Sequence, residues 1–174
     1  MGNLGPINCV NFNGDIIVSG SFNGSIKIWN LNSNYYIKML TYHTEEIYCL
    51  HLYKDYIISG SRDTNIFIYN YITEETECLE GHTDSVWSID TDKDGNIYSC
   101  SLDGTVRIWT KNDNNYKNKI LKISDYAVLK LIIYNELIII GTWNGTIEIW
   151  NKNKRIFSMK THQTYVSGMK LINN

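Results

Sequence analysis

Ser99, His82 and Asp103 are the residue types of an acyl-transfer triad, in which an imidazole takes the proton of a serine hydroxyl. That chemistry needs an exposed hydroxyl beside an oxyanion site. Ser99 instead falls inside a strand-like stretch, and no Gly-x-Ser-x-Gly elbow occurs in the chain, so the three residues are read as structural. Asp90-Thr-Asp-Lys-Asp-Gly95 looks like the start of a calcium loop, but its twelfth position is Ser101 rather than a bidentate glutamate. It reads as a hairpin turn with at most weak, adventitious calcium binding. His43, His82 and His162 are too far apart for a metal-ligand spacing. Cys9, Cys49, Cys78 and Cys100 contain no Cys-x-x-Cys pair and are expected to be reduced, small and buried. Asn23-Gly-Ser25 and Asn144-Gly-Thr146 match the glycosylation acceptor pattern but read as turns. No catalytic residue, metal ligand or cofactor site is assigned.

Composition narrows the class. The 174 residues are 43% hydrophobic and 20% charged, the range of a chain that buries a core. A net charge of −2 without a basic cluster argues against nucleic acid or an acidic membrane as the main partner. The first residues lack the charged-then-apolar pattern of a signal peptide, and Pro6 stands where a myristoylation motif wants Ser or Thr. The longest aliphatic run, Leu137 to Ile140, is too short to span a bilayer. An intracellular location, cytoplasm or nucleus, is the default expectation.

The elements that must position these residues repeat. Ser19-Gly-Ser-Phe-Asn-Gly-Ser-Ile-Lys-Ile-Trp29, Ser59-Gly-Ser-Arg-Asp-Thr-Asn-Ile-Phe-Ile-Tyr69, Ser99-Cys-Ser-Leu-Asp-Gly-Thr-Val-Arg-Ile-Trp109 and Ile140-Gly-Thr-Trp-Asn-Gly-Thr-Ile-Glu-Ile-Trp150 superpose at a period of 40 or 41 residues. Each reads as two strands around a tight turn, with Asn23-Gly24, Asp103-Gly104 and Asn144-Gly145 supplying positive φ. A strand precedes each pair (residues 7–12, 47–52, 86–90, 128–133) and another follows (35–40, 77–79, 119–123, 156–159). No stretch has a helical apolar period. The class is all-β, with four-stranded antiparallel units near 5–40, 43–80, 83–123 and 125–160. A first strand of a fifth unit is expected within 163–174. Four-stranded units of about 40 residues are propeller blades, and each needs a neighbour to cover its faces.

With Gly81-His82, Val86, Ile89, Asp94-Gly95, Ser99, Ser101, Asp103, Thr105, Val106, Ile108 and Trp109, the third unit resembles the WD40 repeat, and the likeness runs from Ile7 to Leu171. The resemblance implies an incomplete β-propeller of four blades plus one strand. It also implies a buried polar tetrad of His82, Ser99, Asp103 and Trp109 in the third blade. The corresponding positions are Asn3, Ser19, Asn23 and Trp29 in the first blade, and His43, Ser59, Asp63 and Tyr69 in the second. In the fourth they are Ser124, Ile140, Asn144 and Trp150, where Ile140 breaks the hydrogen-bond chain. The third blade is therefore expected to be the best ordered and the fourth the loosest.

The same resemblance implies that partners dock on the top face. There the residue before each turn Asp or Asn (Phe22, Arg62, Leu102, Trp143) and the second residue of each inner strand (Asn8, Tyr48, Trp87, Leu129) would lie. Trp, Tyr and Arg are the types that dominate interface energy, although packing between loops would also account for them. The implied function is a non-catalytic protein-interaction scaffold whose partners are other proteins. The hairpins around Cys49 and Ile57 are most similar to F-box/WD-repeat proteins, which offers a ubiquitin-ligase substrate-recognition part as an alternative, although no F-box-like segment is seen. A decayed or split fragment of a longer propeller protein is another. Four blades leave apolar flanks to cover, so another propeller fragment or a second copy of this chain is an expected partner.

Overall fold

The computed structural model describes residues 5–32, 35–113, 115–122, 125–151 and 153–170. Among them the regular elements are all strands, as β-branched and aromatic residues at period two dictate. In chain order these are β1 (Ile7–Asn13), β2 (Ile16–Ser21), β3 (Ile26–Asn30), β4 (Tyr35–Leu40), β5 (Ile47–Tyr53), β6 (Tyr56–Ser61), β7 (Ile66–Asn70) and β8 (Thr76–Leu79). They continue as β9 (Val86–Thr91), β10 (Ile97–Ser101), β11 (Thr105–Asn112), β12 (Asn115–Lys122), β13 (Val128–Tyr134), β14 (Leu137–Thr142), β15 (Thr146–Asn151) and β16 (Lys154–Lys160). Each consecutive set of four forms one meandering sheet in sequence order, as expected of propeller blades. Strand β12 starts at Asn115, earlier than the expected 119. Its polar first half pairs with the end of β11 through the main chain (Asn112 with Asn115), and such pairing needs no apolar side chain to direct it.

The chain divides into two compact units, residues 1–86 and 87–174. In the first, Val18, Ile26, Ile28 and Leu40 of the first sheet meet Ile47, Leu50, Ile57 and Tyr69 of the second in one buried cluster. In the second, Cys100, Val106 and Leu121 meet Val128, Leu131, Ile138 and Ile140. Each such aliphatic side chain contributes about 1.5–3 kcal/mol on burial. Polar side chains also tie one inner strand to the next. In the first unit Asn8 Nδ2 and Asn11 Nδ2 donate to the carbonyls of Ile47 and Leu50, both at 3.0 Å. In the second, the Ile133 amide donates to Asp90 Oδ2 at 2.8 Å.

The β2–β3 turn shows how the repeat motif folds locally. The amides of Ser21 and Gly24 close onto the carbonyls of Ser25 (3.0 Å) and Ser21 (3.2 Å). Asn23 Oδ1 accepts from the Ser25 amide (3.1 Å) and hydroxyl (2.7 Å), an Asx turn. Gly24 sits at φ +78°, and a Cβ there would lie 2.6 Å from the His43 carbonyl oxygen. Gly104 and Gly145 repeat the conformation at +79° and +84°, whereas the second sheet places Thr64 at +72°.

Three expectations are corrected. Residues 165–170 form no strand: no described strand pairs with them, so there is no ladder to hold a pleat. Val166 alone is buried, its amide donating to the Thr142 carbonyl at 3.1 Å. Cys78 is exposed and Cys9 half-buried, because Cys78 points outward from the edge strand β8; Cys49 and Cys100 are buried, and none of the four is in a disulfide. Leu129 is 2% exposed and so buried rather than on a rim, on the opposite face of β13 from Val128, which joins the buried cluster. Among the described residues no helix is long and apolar enough to cross a membrane.

Candidate functional site

The β6–β7 turn positions Asp63 against His43 and Thr44, in the loop that opens the second repeat. Asp63 is acceptor-only when ionised, so His43 Nδ1–H donates to Asp63 Oδ2 at 2.8 Å and leaves Nε2 2.9 Å from the Ser59 hydroxyl. The Thr44 and Asn65 amides, each at 3.0 Å, also donate to the Asp63 carboxylate. Burial opposes ionisation of Asp63, but the His43 hydrogen bond and charge and these two amides outweigh it and hold its carboxyl below the ordinary range. The connectivity is serine–histidine–aspartate, yet Ser59 and His43 are both buried, so no substrate carbonyl reaches the hydroxyl. Tyr69, at the tryptophan position, is buried, with its ring centroid 6.3 Å from that of Tyr42, which stacks on Phe67.

The other sheets vary the theme. In the third, Trp109 Nε1 donates to Ser99 Oγ at 2.8 Å, with both residues buried. Asp103 Oδ1 accepts from the Thr105 amide (2.9 Å) and hydroxyl (2.7 Å). His82 is buried in the first unit, while Ser99, Asp103 and Trp109 belong to the second. In the first sheet Trp29 meets the Tyr36 ring edge-on at 5.4 Å, and the Lys27 ammonium lies 5.5 Å from Tyr36 and 5.9 Å from Trp29. Asn3 and Ser124 lie outside the described residues.

In the fourth sheet Ile140 is buried and accepts nothing, as its chemistry requires. The Trp150 indole donates instead to Glu148 Oε2 at 2.9 Å, while Arg155 Nη1 donates to Glu148 Oε1 at 3.0 Å. Glu148 is the cross-strand partner of Ile140, so a carboxylate one strand over replaces the missing hydroxyl. Sequence reasoning missed it. The available signal was a lone acid where the other repeats carry Lys27, Phe67 and Arg107.

The rim positions follow from one recurring backbone bond. The amides of Phe22, Arg62 and Trp143 donate to the carbonyls of Pro6 (3.1 Å), Glu46 (2.9 Å) and Ala127 (2.9 Å), just before β1, β5 and β13. Their side chains are thereby turned out, and all three are exposed. In the first unit Arg62 Nη1 is held by Glu46 Oε1 at 3.0 Å, rather than standing free for a ligand carboxylate or phosphate. Beside it Tyr48 is half-buried; burial and then the Glu46 charge raise its phenol above the usual value. In the second unit Trp87 and Leu102 are half-buried. Trp143 stacks on Tyr165, centroids 5.3 Å apart, an exposed pair that the sequence reading did not identify.

The other candidate chemistry reduces to turns. Asp92 Oδ1 accepts from the amides of Asp94 (3.0 Å) and Asn96 (2.9 Å), and Oδ2 accepts from Tyr98 OH at 3.3 Å, so this carboxylate is committed to its own hairpin. Among the described residues no group of three or more His, Cys, Asp or Glu side chains could hold a metal ion.

The pattern of the WD domain, G-beta repeat family matches residues 1–30, 34–70 and 73–110. Autophagy-related protein 16 of Arabidopsis thaliana is 23% identical over 170 residues, covering 94% of this chain and 33% of that protein. The chain thus spans about a third of that relative. The computationally designed Ika8 protein superposes with a TM-score of 0.85 at 23% identity, covering 97% of this chain and 53% of that one. U3-55K superposes equally well, at 0.85 and 21% identity, covering 95% and 55%.

Proposed function

Because the chain belongs to the WD40 repeat family, we propose that it is a non-catalytic protein-interaction scaffold, binding other proteins through the rim side chains of its blades. Phe22, Tyr48 and Arg62 serve the first unit, and Trp87, Leu102 and Trp143 the second. The observation that carries this reading is the shared backbone bond that turns Phe22, Arg62 and Trp143 outward, while Ser59 and His43 of the linked Ser59–His43–Asp63 set are buried. Large aromatics held by a rigid sheet lose little conformational entropy on binding, which is why such residues anchor interfaces. Arg62 arrives already oriented by Glu46.

The test begins with proteins captured by the wild-type chain and measures binding of each purified partner to Arg62→Ala and Trp143→Ala. Circular dichroism verifies the fold. At least a tenfold loss, about 1.4 kcal/mol, is expected for one of the two. Undiminished binding by the double variant would remove the rim from the account.

A further inference from the structure

The first sheet has one covered face and one open face. Val18, Ile26, Ile28 and Leu40 are buried against the second sheet. On the other face Ile7 is 57%, Val10 60% and Phe12 72% exposed. Forty residues on, Ile47 and Leu50 hold the places of Ile7 and Val10 and are 0% and 8% exposed, because the first sheet covers them. The open face therefore has the chemistry of a face that this same fold buries.

The fourth sheet carries the complementary type. Ile139, Ile147, Ile149 and Met159 stand where the first sheet has Val18, Ile26, Ile28 and Leu40, with Ile147 opposite Met159 as Ile26 is opposite Leu40. The isoleucines are only partly buried, and Met159 is 55% exposed. One seat on this face is already used. A Cβ on Gly141 would lie 2.7 Å from Val166, just as one on Gly20 would lie 2.7 Å from Ile47. The seat accepts an inner-strand aliphatic, and Val166 holds it without a strand behind it.

We propose that a second copy of this chain docks head to tail. The Ile7–Val10–Phe12 face of one copy covers the Ile139–Ile147–Ile149–Met159 face of the other, and Ile7 takes the seat of Val166. Both faces belong to the chain itself, and the pair they form repeats the packing already present inside the first unit. The solved structures it resembles are about twice its length, so two copies supply one fold's worth of blades. Because the contact joins two different faces, a variant of each can be told apart.

Light scattering on the purified full chain at tens of micromolar should give twice the 20.2 kDa chain mass. Val10→Lys and Met159→Glu each alter an exposed side chain, so folding is checked by circular dichroism and is expected to persist. Each variant alone should be monomeric. Their equimolar mixture should recover the doubled mass, because it can form one native contact and one lysine–glutamate contact. Val166→Ser should shift dissociation to at least threefold lower concentration. A wild-type monomer, an open-ended series of masses, loss of assembly in Val10→Lys but not Met159→Glu, or indifference to Val166→Ser would each overturn the proposal.

Discussion

Glu148 shows how one side chain can restore a hydrogen-bond chain broken elsewhere. With Ile140 in the serine position, the Trp150 indole would lose its acceptor; the carboxylate across the strand supplies one and is itself neutralised by Arg155. Glu148→Ala should therefore cost about 1.5–3 kcal/mol in urea unfolding, the range for hydrogen bonds to a charged group, and Glu148→Gln distinctly less. Ile140→Ser should not rescue Glu148→Ala fully, since it also removes a fully buried aliphatic side chain. The second sheet titrates. Asp63 has its folded pKa below its unfolded one, so its contribution is complete above the unfolded value of about 4 and is lost as pH falls through the folded value. Denaturation of wild type and Asp63→Asn from pH 6 to pH 2.5 should give a stability gap that is constant down to about pH 4 and narrows below it. A gap independent of pH would assign the loss to packing instead.

At the scale of elements, the four β-turns act as replicate experiments. Three use glycine at φ between +78° and +84°, and the second uses Thr64 at +72°, a β-branched side chain where L-residues are crowded. Thr64→Gly should stabilise the protein by about 0.5–1 kcal/mol, the relief of left-handed strain less the added entropy of the unfolded chain. The measurement is the urea midpoint, with the slope unchanged. Gly24→Ala should go the other way by more than about 1 kcal/mol, because strain and contact with the His43 carbonyl oppose it together. The recurring rim bond belongs to this scale as well. It is made by main chain, so Phe22, Arg62 and Trp143 can differ completely while their positions stay the same.

At the scale of the molecule, stability in each unit comes from face-to-face burial of sheets. An uncovered face is then a matter for partners rather than for folding. The segment after β16 illustrates the limit. Val166 is buried, yet its neighbours from 161 to 165 and from 167 to 168 are exposed. Limited trypsin digestion of Val166→Ser should cut after Lys160 faster than wild type, while the circular dichroism of the sheets is unchanged.

The sequence by itself determined the strand class, the period and the turns. All of these rest on interactions within a few residues or on an apolar alternation that local geometry enforces. Tertiary structure decided the rest. Glu148 found Trp150 through strand register; Arg62 was claimed by Glu46, which a backbone turn brings alongside; Leu129 went inward and Cys78 outward according to which face a neighbouring sheet covers; and residues 165–170 lacked the paired strand that an extended segment needs. Burial and cross-strand proximity are properties of two segments at once, so neither segment's residues alone could specify them.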